Sequence, residues 1–139
     1  MKVDFDAALK IQGCEIVNYL LEKSRVVYQS PLERNYHMFY QLLAGADPDQ
    51  RLQLGLLEAE RYRYLEKSGC IRINGVDDSH EFRDTLQARR TLQFPQETID
   101  AMFRIIAAVL RCVLCCVCVC VCVLCVRMII YLFIYLFII

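Results

Sequence analysis

The spacing of apolar positions changes several times along the chain, and each change predicts an element. Val3 and Phe5 alternate with Lys2, Asp4 and Asp6, the period of a strand with one buried face. Gly13 reads as a turn. Residues 16–21 and 25–28 are rich in β-branched and aromatic side chains and predict two further strands. Ser30-Pro31-Leu32-Glu33 has the form of a capping box with Pro at the first helical position. Leu32, Tyr36, Phe39, Tyr40 and Leu43 then recur as one apolar stripe of an amphipathic helix. Gly45 can close that helix in a left-handed conformation. His37 lies off the stripe, with no Cys or second His at ligand spacing, and reads as a packed or solvated side chain.

Asp47-Pro48 opens a short helix interrupted by Gly55, and residues 58–67 read as a helix closed near Gly69. Asn74-Gly75 predicts a turn. Asp78 with Glu81 has the spacing of a second capping box, before a helix to about Arg90. Pro95 opens the last clear helix, with Ile99, Met102, Phe103, Ile106 and Leu110 on one face.

Composition divides the chain in two. Of the 28 residues 112–139, 27 are apolar, Arg127 being the exception. The first 110 residues hold all 16 acidic side chains and 14 of the 16 basic ones, a net charge of −2. Nucleic acid is therefore not an expected partner, because phosphate contacts need a basic surface. Lys2, Asp4, Asp6, Lys10 and Glu15 interrupt the first fifteen residues, unlike the apolar run of a secretory signal. A cytoplasmic origin is expected. Cys14 and Cys70 read as ordinary buried cysteines.

Two motifs carry a family resemblance. Tyr19-Leu20-Leu21-Glu22-Lys23-Ser24-Arg25-Val26-Val27 and Glu33-Arg34-Asn35-Tyr36-His37-Met38-Phe39-Tyr40-Gln41-Leu42-Leu43 resemble the myosin motor domain, in the segment following its second nucleotide-binding loop. The resemblance covers residues 1–110. It implies an α+β or α/β fragment, with partial strands of the myosin central sheet followed by several helices; beyond it the tail, long, apolar and free of Pro and Gly, is expected to form a long apolar C-terminal helix. The resemblance also implies a structural role for Glu22, Lys23, Arg25, Glu33, Arg34, Asn35 and Tyr36, which would fix sheet against helix through charge pairs and hydrogen bonds. The alternative for these charges is a solvated surface, where an ion pair contributes under about 1 kcal/mol.

The intact family motor is an actin-activated ATPase that uses ATP and Mg²⁺ and partners actin filaments within the cytoskeleton. Its phosphate loop ends in Gly-Lys-Thr or Gly-Lys-Ser, whose backbone N–H groups and Lys hold the phosphates. Here Gly13, Gly45, Gly55, Gly69 and Gly75 are the five glycines, and none precedes Lys. The second nucleotide element would lie before Met1, and the third, an Asp-x-x-Gly-Phe-Glu sequence, well after Leu110. The actin-binding loops also lie downstream. The chain is thus expected to be an inactive motor fragment without catalytic, cofactor or metal residues, Met1 looking like an internal residue taken as a start.

Residues 111–139 depart from the family, which continues His-Leu-Gly-Asn after the position of Leu110. Val and Cys alternate strictly from Val117 to Val123, and Ile-Tyr-Leu-Phe repeats from Ile130. The DNA repeats TGTGTG and ATTT encode such patterns, so the tail resembles translated intron. Three other readings compete. A membrane anchor is one, since the apolar stretch from Ile105 exceeds the about 20 residues a spanning helix needs; a tail-anchored protein carrying a motor remnant is the alternative function. Arg111 and Arg127 weigh against it, each costing about 2.5–3.5 kcal/mol inside a bilayer. A zinc site would draw on Cys112, Cys115, Cys116, Cys118, Cys120, Cys122 and Cys125, but alternating cysteines share one strand face and lack the loop that gathers a tetrahedron. A disulfide framework needs an oxidising compartment. The Pro95 helix is expected to run through Arg111 into the tail, with little contact to the rest.

Overall fold

The computed structural model describes residues 2–15 and 28–114. Within them the chain is α+β: strands β1 (Lys2–Phe5) and β2 (Ile11–Glu15), then helices α1 (His37–Gly45), α2 (Pro48–Leu54), α3 (Arg63–Glu66), α4 (Asp78–Thr91) and α5 (Gln96–Leu114), with a 3-10 turn over Ala59–Arg61 before α3.

The strands form an antiparallel hairpin, Lys2 opposite Glu15 and Phe5 opposite Ile11, with an irregularity between Asp4 and Phe5. Asp6 builds the turn. Its carboxylate accepts from the backbone N–H of Ala8 and Lys10 and from Gln12 Nε2, and the Lys10 bond leads in holding its pKa below the usual carboxylate value. Leu9 takes a φ of 60° within this turn. The turn expected at Gly13 is therefore at residues 6–10, and Gly13 lies inside β2. The buried face expected for β1 is absent as well, since Phe5 is 57% exposed and Val3 only half-buried. The strands expected at 16–21 and 25–27 lie outside the described residues; Tyr28 is irregular and exposed.

The first helix begins later than its pattern predicts. Residues 31–36 are irregular and α1 starts at His37. Ser30 contributes only a carbonyl that accepts from Glu33 N–H, so it caps no helix. Leu32 has φ 66° and is 78% exposed, and its N–H donates to the Ser68 carbonyl at 2.9 Å. A left-handed residue cannot sit inside an α-helix, and this one turns the chain so that Arg34 and Asn35 point inward. Of the expected stripe, Phe39, Tyr40 and Leu43 are buried on α1, joined by Leu42 from outside the stripe, while Tyr36 stands just before the helix and is half-buried.

Other boundaries follow their sequence signals. Asp47 caps α2 through Gln50 N–H, Pro48 stands at its first position, and Gly55 ends it at φ 61°, ψ 41°. The single helix expected over residues 58–67 is broken at Tyr62 (φ −97°, ψ 100°), whose hydroxyl accepts from Leu57 N–H while its ring is buried. Helix α4 is capped by Asp77, whose carboxylate accepts from Ser79 and His80 N–H. The capping box expected at Asp78 is thus displaced by one residue.

One core joins the helices. Phe39, Leu42 and Leu43 of α1, Phe82 of α4 and Ile99, Phe103, Ile106 and Leu110 of α5 meet Leu56, Tyr62 and Leu65. The Phe82 and Phe103 rings lie 5.2 Å apart. Arg51, on α2, donates one guanidinium nitrogen to the Leu43 carbonyl and another to Glu58 at 2.7 Å. The first of these satisfies a carbonyl at the end of α1 that has no partner within its own helix.

Gly45 is not left-handed. It is the last residue of α1, and the cap at Ala46 is extended. Its reason is proximity: a Cβ there would stand 2.5 Å from Phe82 Cβ and Cγ. Helices α1 and α4 approach as closely as they do because position 45 has no side chain. Cys14 is exposed and Cys70 half-buried, so neither is the buried cysteine expected.

Helix α5 passes through Arg111, as expected, to Leu114. Over these residues it is amphipathic, with Glu97, Asp100 and Arg104 interrupting its apolar residues; the long apolar C-terminal helix expected is not shown. Among the described residues no helix is long and apolar enough to cross a membrane. Residues 115–139, where any continuation would fall, lie outside the described residues.

Gly45→Ala should lower unfolding stability by about 1–3 kcal/mol, the cost of overpacking a rigid contact. Gly13→Ala, where a Cβ meets nothing within 4 Å, should stay within about 0.5 kcal/mol. Urea unfolding followed by circular dichroism measures both; equal effects would contradict the close approach.

Candidate functional site

The irregular segment before α1 delivers two polar side chains into the interior. Arg34 is 4% exposed and Asn35 1%. Both belong to the Glu-Arg-Asn-Tyr motif, and its polar members part company here: Glu33 remains on the surface. Tyr36 is half-buried, its ring edge-on to Phe39 at 6.3 Å. Glu22, Lys23 and Arg25 lie outside the described residues.

Arg34 Nη2 lies 2.9 Å from both carboxylate oxygens of Asp78. The pair is unequally buried, 1% of the Arg34 side chain and 14% of the Asp78 side chain being exposed. The guanidinium also lies over the Tyr40 ring, 3.9 Å from its centroid, where the electron-rich face attracts a cation. The Tyr40 hydroxyl accepts from Asn35 N–H at 3.1 Å and donates to the Leu65 carbonyl at 3.2 Å. Asn35 Oδ1 in turn accepts from Tyr36 N–H at 2.7 Å. Four stretches of chain meet in this knot: residues 34–36, α1 through Tyr40, α3 through Leu65, and α4 through Asp78.

The displaced cap explains how the pair forms. Because Asp77 satisfies the N–H groups at the start of α4, the Asp78 carboxylate is released for Arg34. It still occupies the first turn of α4, where a negative charge is favoured by the helix dipole. Sequence signals located the acidic cluster but assigned the cap to the wrong member. Nothing in local spacing connects residue 34 to residue 78.

Burial raises the phenol pKa of Tyr40, with the Asn35 N–H bond and the Arg34 charge acting against it. Tyr64, whose ring packs edge-on to Phe39 at 6.1 Å, is pushed up to about 12, chiefly by burial, against an opposing hydrogen bond from Asn35. A second buried cation, Arg89, donates to Met102 Sδ at 3.5 Å and lies 5.2 Å from the Phe103 ring centroid. Its pKa is lowered by burial.

Chemically the knot is a scaffold. Arg34, Asn35, Tyr40 and Asp78 bond to other protein groups, and no nucleophile among them stands beside a base. His37, at the start of α1, is exposed. Among the described residues no cluster of three or more His, Cys, Asp or Glu side chains could hold a metal ion. Six of the tail cysteines considered above lie outside the described residues, and Cys112 is half-buried near the end of α5.

Asp78→Ala should cost about 3–5 kcal/mol, because it strands a desolvated guanidinium. Arg34→Met should cost less, since the carboxylate left behind keeps some water and its place at a helix N-terminus. Chemical unfolding of the two variants checks the order; the reverse order would show that burial of Arg34 does not govern the cost of breaking the pair.

The tyrosines set an alkaline limit. Both folded pKa values lie above the unfolded value of about 10, so the neutral phenols stabilise the fold below that pH. This contribution should fall as pH rises from about 10 through about 12, by up to about 2–3 kcal/mol for Tyr64. Ultraviolet tyrosinate titration should show Tyr40 and Tyr64 ionising late, and Tyr64→Phe should remove one late-ionising phenol.

Similarity to known proteins covers the hairpin and all five helices up to the tail. The family model described as myosin head (motor domain) matches residues 1–113. Over 110 residues, 79% of the chain, the sequence is 44% identical to "Myosin ID heavy chain" of Dictyostelium discoideum. Over the same length it is 44% identical to "Myosin-1" of Arabidopsis thaliana and 43% to "Myosin-2" of Saccharomyces cerevisiae. The chain spans 10%, 9% and 7% of those three proteins, respectively. With its motifs, its buried knot and this extent of identity, the chain belongs to the myosin head (motor domain) family.

Proposed function

We propose that these residues form part of the head of an actin-based, ATP-driven motor, and that their contribution there is structural. The observation that carries this reading is the family match over residues 1–113. The Arg34–Asp78–Tyr40–Asn35 knot supports the structural part, because it ties three helices and the segment entering α1 into one unit. Arg34, Asn35 and Tyr36 act in it directly. Glu22, Lys23 and Arg25 of the first motif, and Glu33 of the second, are assigned a structural role by resemblance. In the intact motor the partners would be actin filaments, ATP and Mg²⁺, in the cytoplasm and cytoskeleton.

By itself the chain is proposed to be inactive. A phosphate cradle needs successive backbone N–H groups opened by glycine and a lysine to meet the charge. The glycines here serve other ends: Gly45 admits Phe82, Gly55 closes α2, and Gly75 sits at φ 82° in the turn before α4. Titration of the purified chain with a fluorescent ATP analogue should give no saturable signal. Micromolar, Mg²⁺-dependent binding would overturn the proposal.

A second reading rests on residues 112–139, which hold 27 apolar side chains and one arginine. We propose 1–110 as the motor part and 111–139 as a separate low-complexity tail. If translated, the tail would partition into a membrane, giving a tail-anchored protein with a motor remnant. A soluble reporter carrying residues 105–139 should then resist carbonate extraction from membranes. Recovery of the reporter in the soluble fraction would remove the anchor reading and leave the motor reading intact.

A further inference from the structure

We draw no further inference here: the strongest candidate, the set of exposed apolar side chains Phe5, Leu9 and Ile11 on the β1–β2 hairpin, is an unpartnered surface and nothing in the structure shows what covers it.

Discussion

A guanidinium withdrawn from water has to be met by an anion, and in this chain Arg34 is met by Asp78. The constraint reaches well beyond the two residues. To bring Arg34 inward, the segment before α1 gives up helical geometry, and Leu32 adopts a positive φ with its N–H on the Ser68 carbonyl. To free the Asp78 carboxylate, the cap of α4 passes to Asp77. Tyr40 offers its ring face to the cation and its hydroxyl to two backbone groups. Removing the cation would leave each of these arrangements without its reason.

Helix interiors were legible from sequence because burial enforces their period. Ile99, Met102, Phe103, Ile106 and Leu110 share a face of α5, and all are buried. Pro48 and Gly55 act through their own backbone chemistry, so α2 could be bounded without knowing its neighbours. Elsewhere a distant partner overrules a local preference. The Ser30 box is a sound local signal, but it loses to a bond with Ser68 and to burial of Arg34 and Asn35. Asp77 and Asp78 are chemically equivalent in sequence, and only Arg34, 44 positions away, distinguishes them. Gly45 does end a helix, but not as a left-handed cap, because sequence reports the missing side chain and not the phenyl group that requires its absence.

The hairpin and the helical cluster stand on different physical footing. The helices gather a shared core, whereas the hairpin leaves Phe5, Leu9 and Ile11 at 57%, 82% and 69% exposure. Two-stranded hairpins are marginal in water unless a third strand or a helix covers them. The hairpin's order among the described residues rests on Asp6, whose one carboxylate organises the turn from both sides. Membership of the myosin head family fits this contrast, since the chain spans only 10% or less of the relatives compared with it.

The contact between Gly45 and Phe82 makes the two positions mutually dependent. A methyl group at 45 would collide with Phe82 Cβ as well as with its ring, and Cβ is an atom no rotamer can move aside. Trimming Phe82 alone would open a cavity at the centre of the core, beside Phe103. The effects of changes at these two positions should therefore not sum. An acceptable replacement at either site depends on what the other already carries, so a lineage could alter this helix pair only through a jointly shifted backbone or through a less stable intermediate sequence.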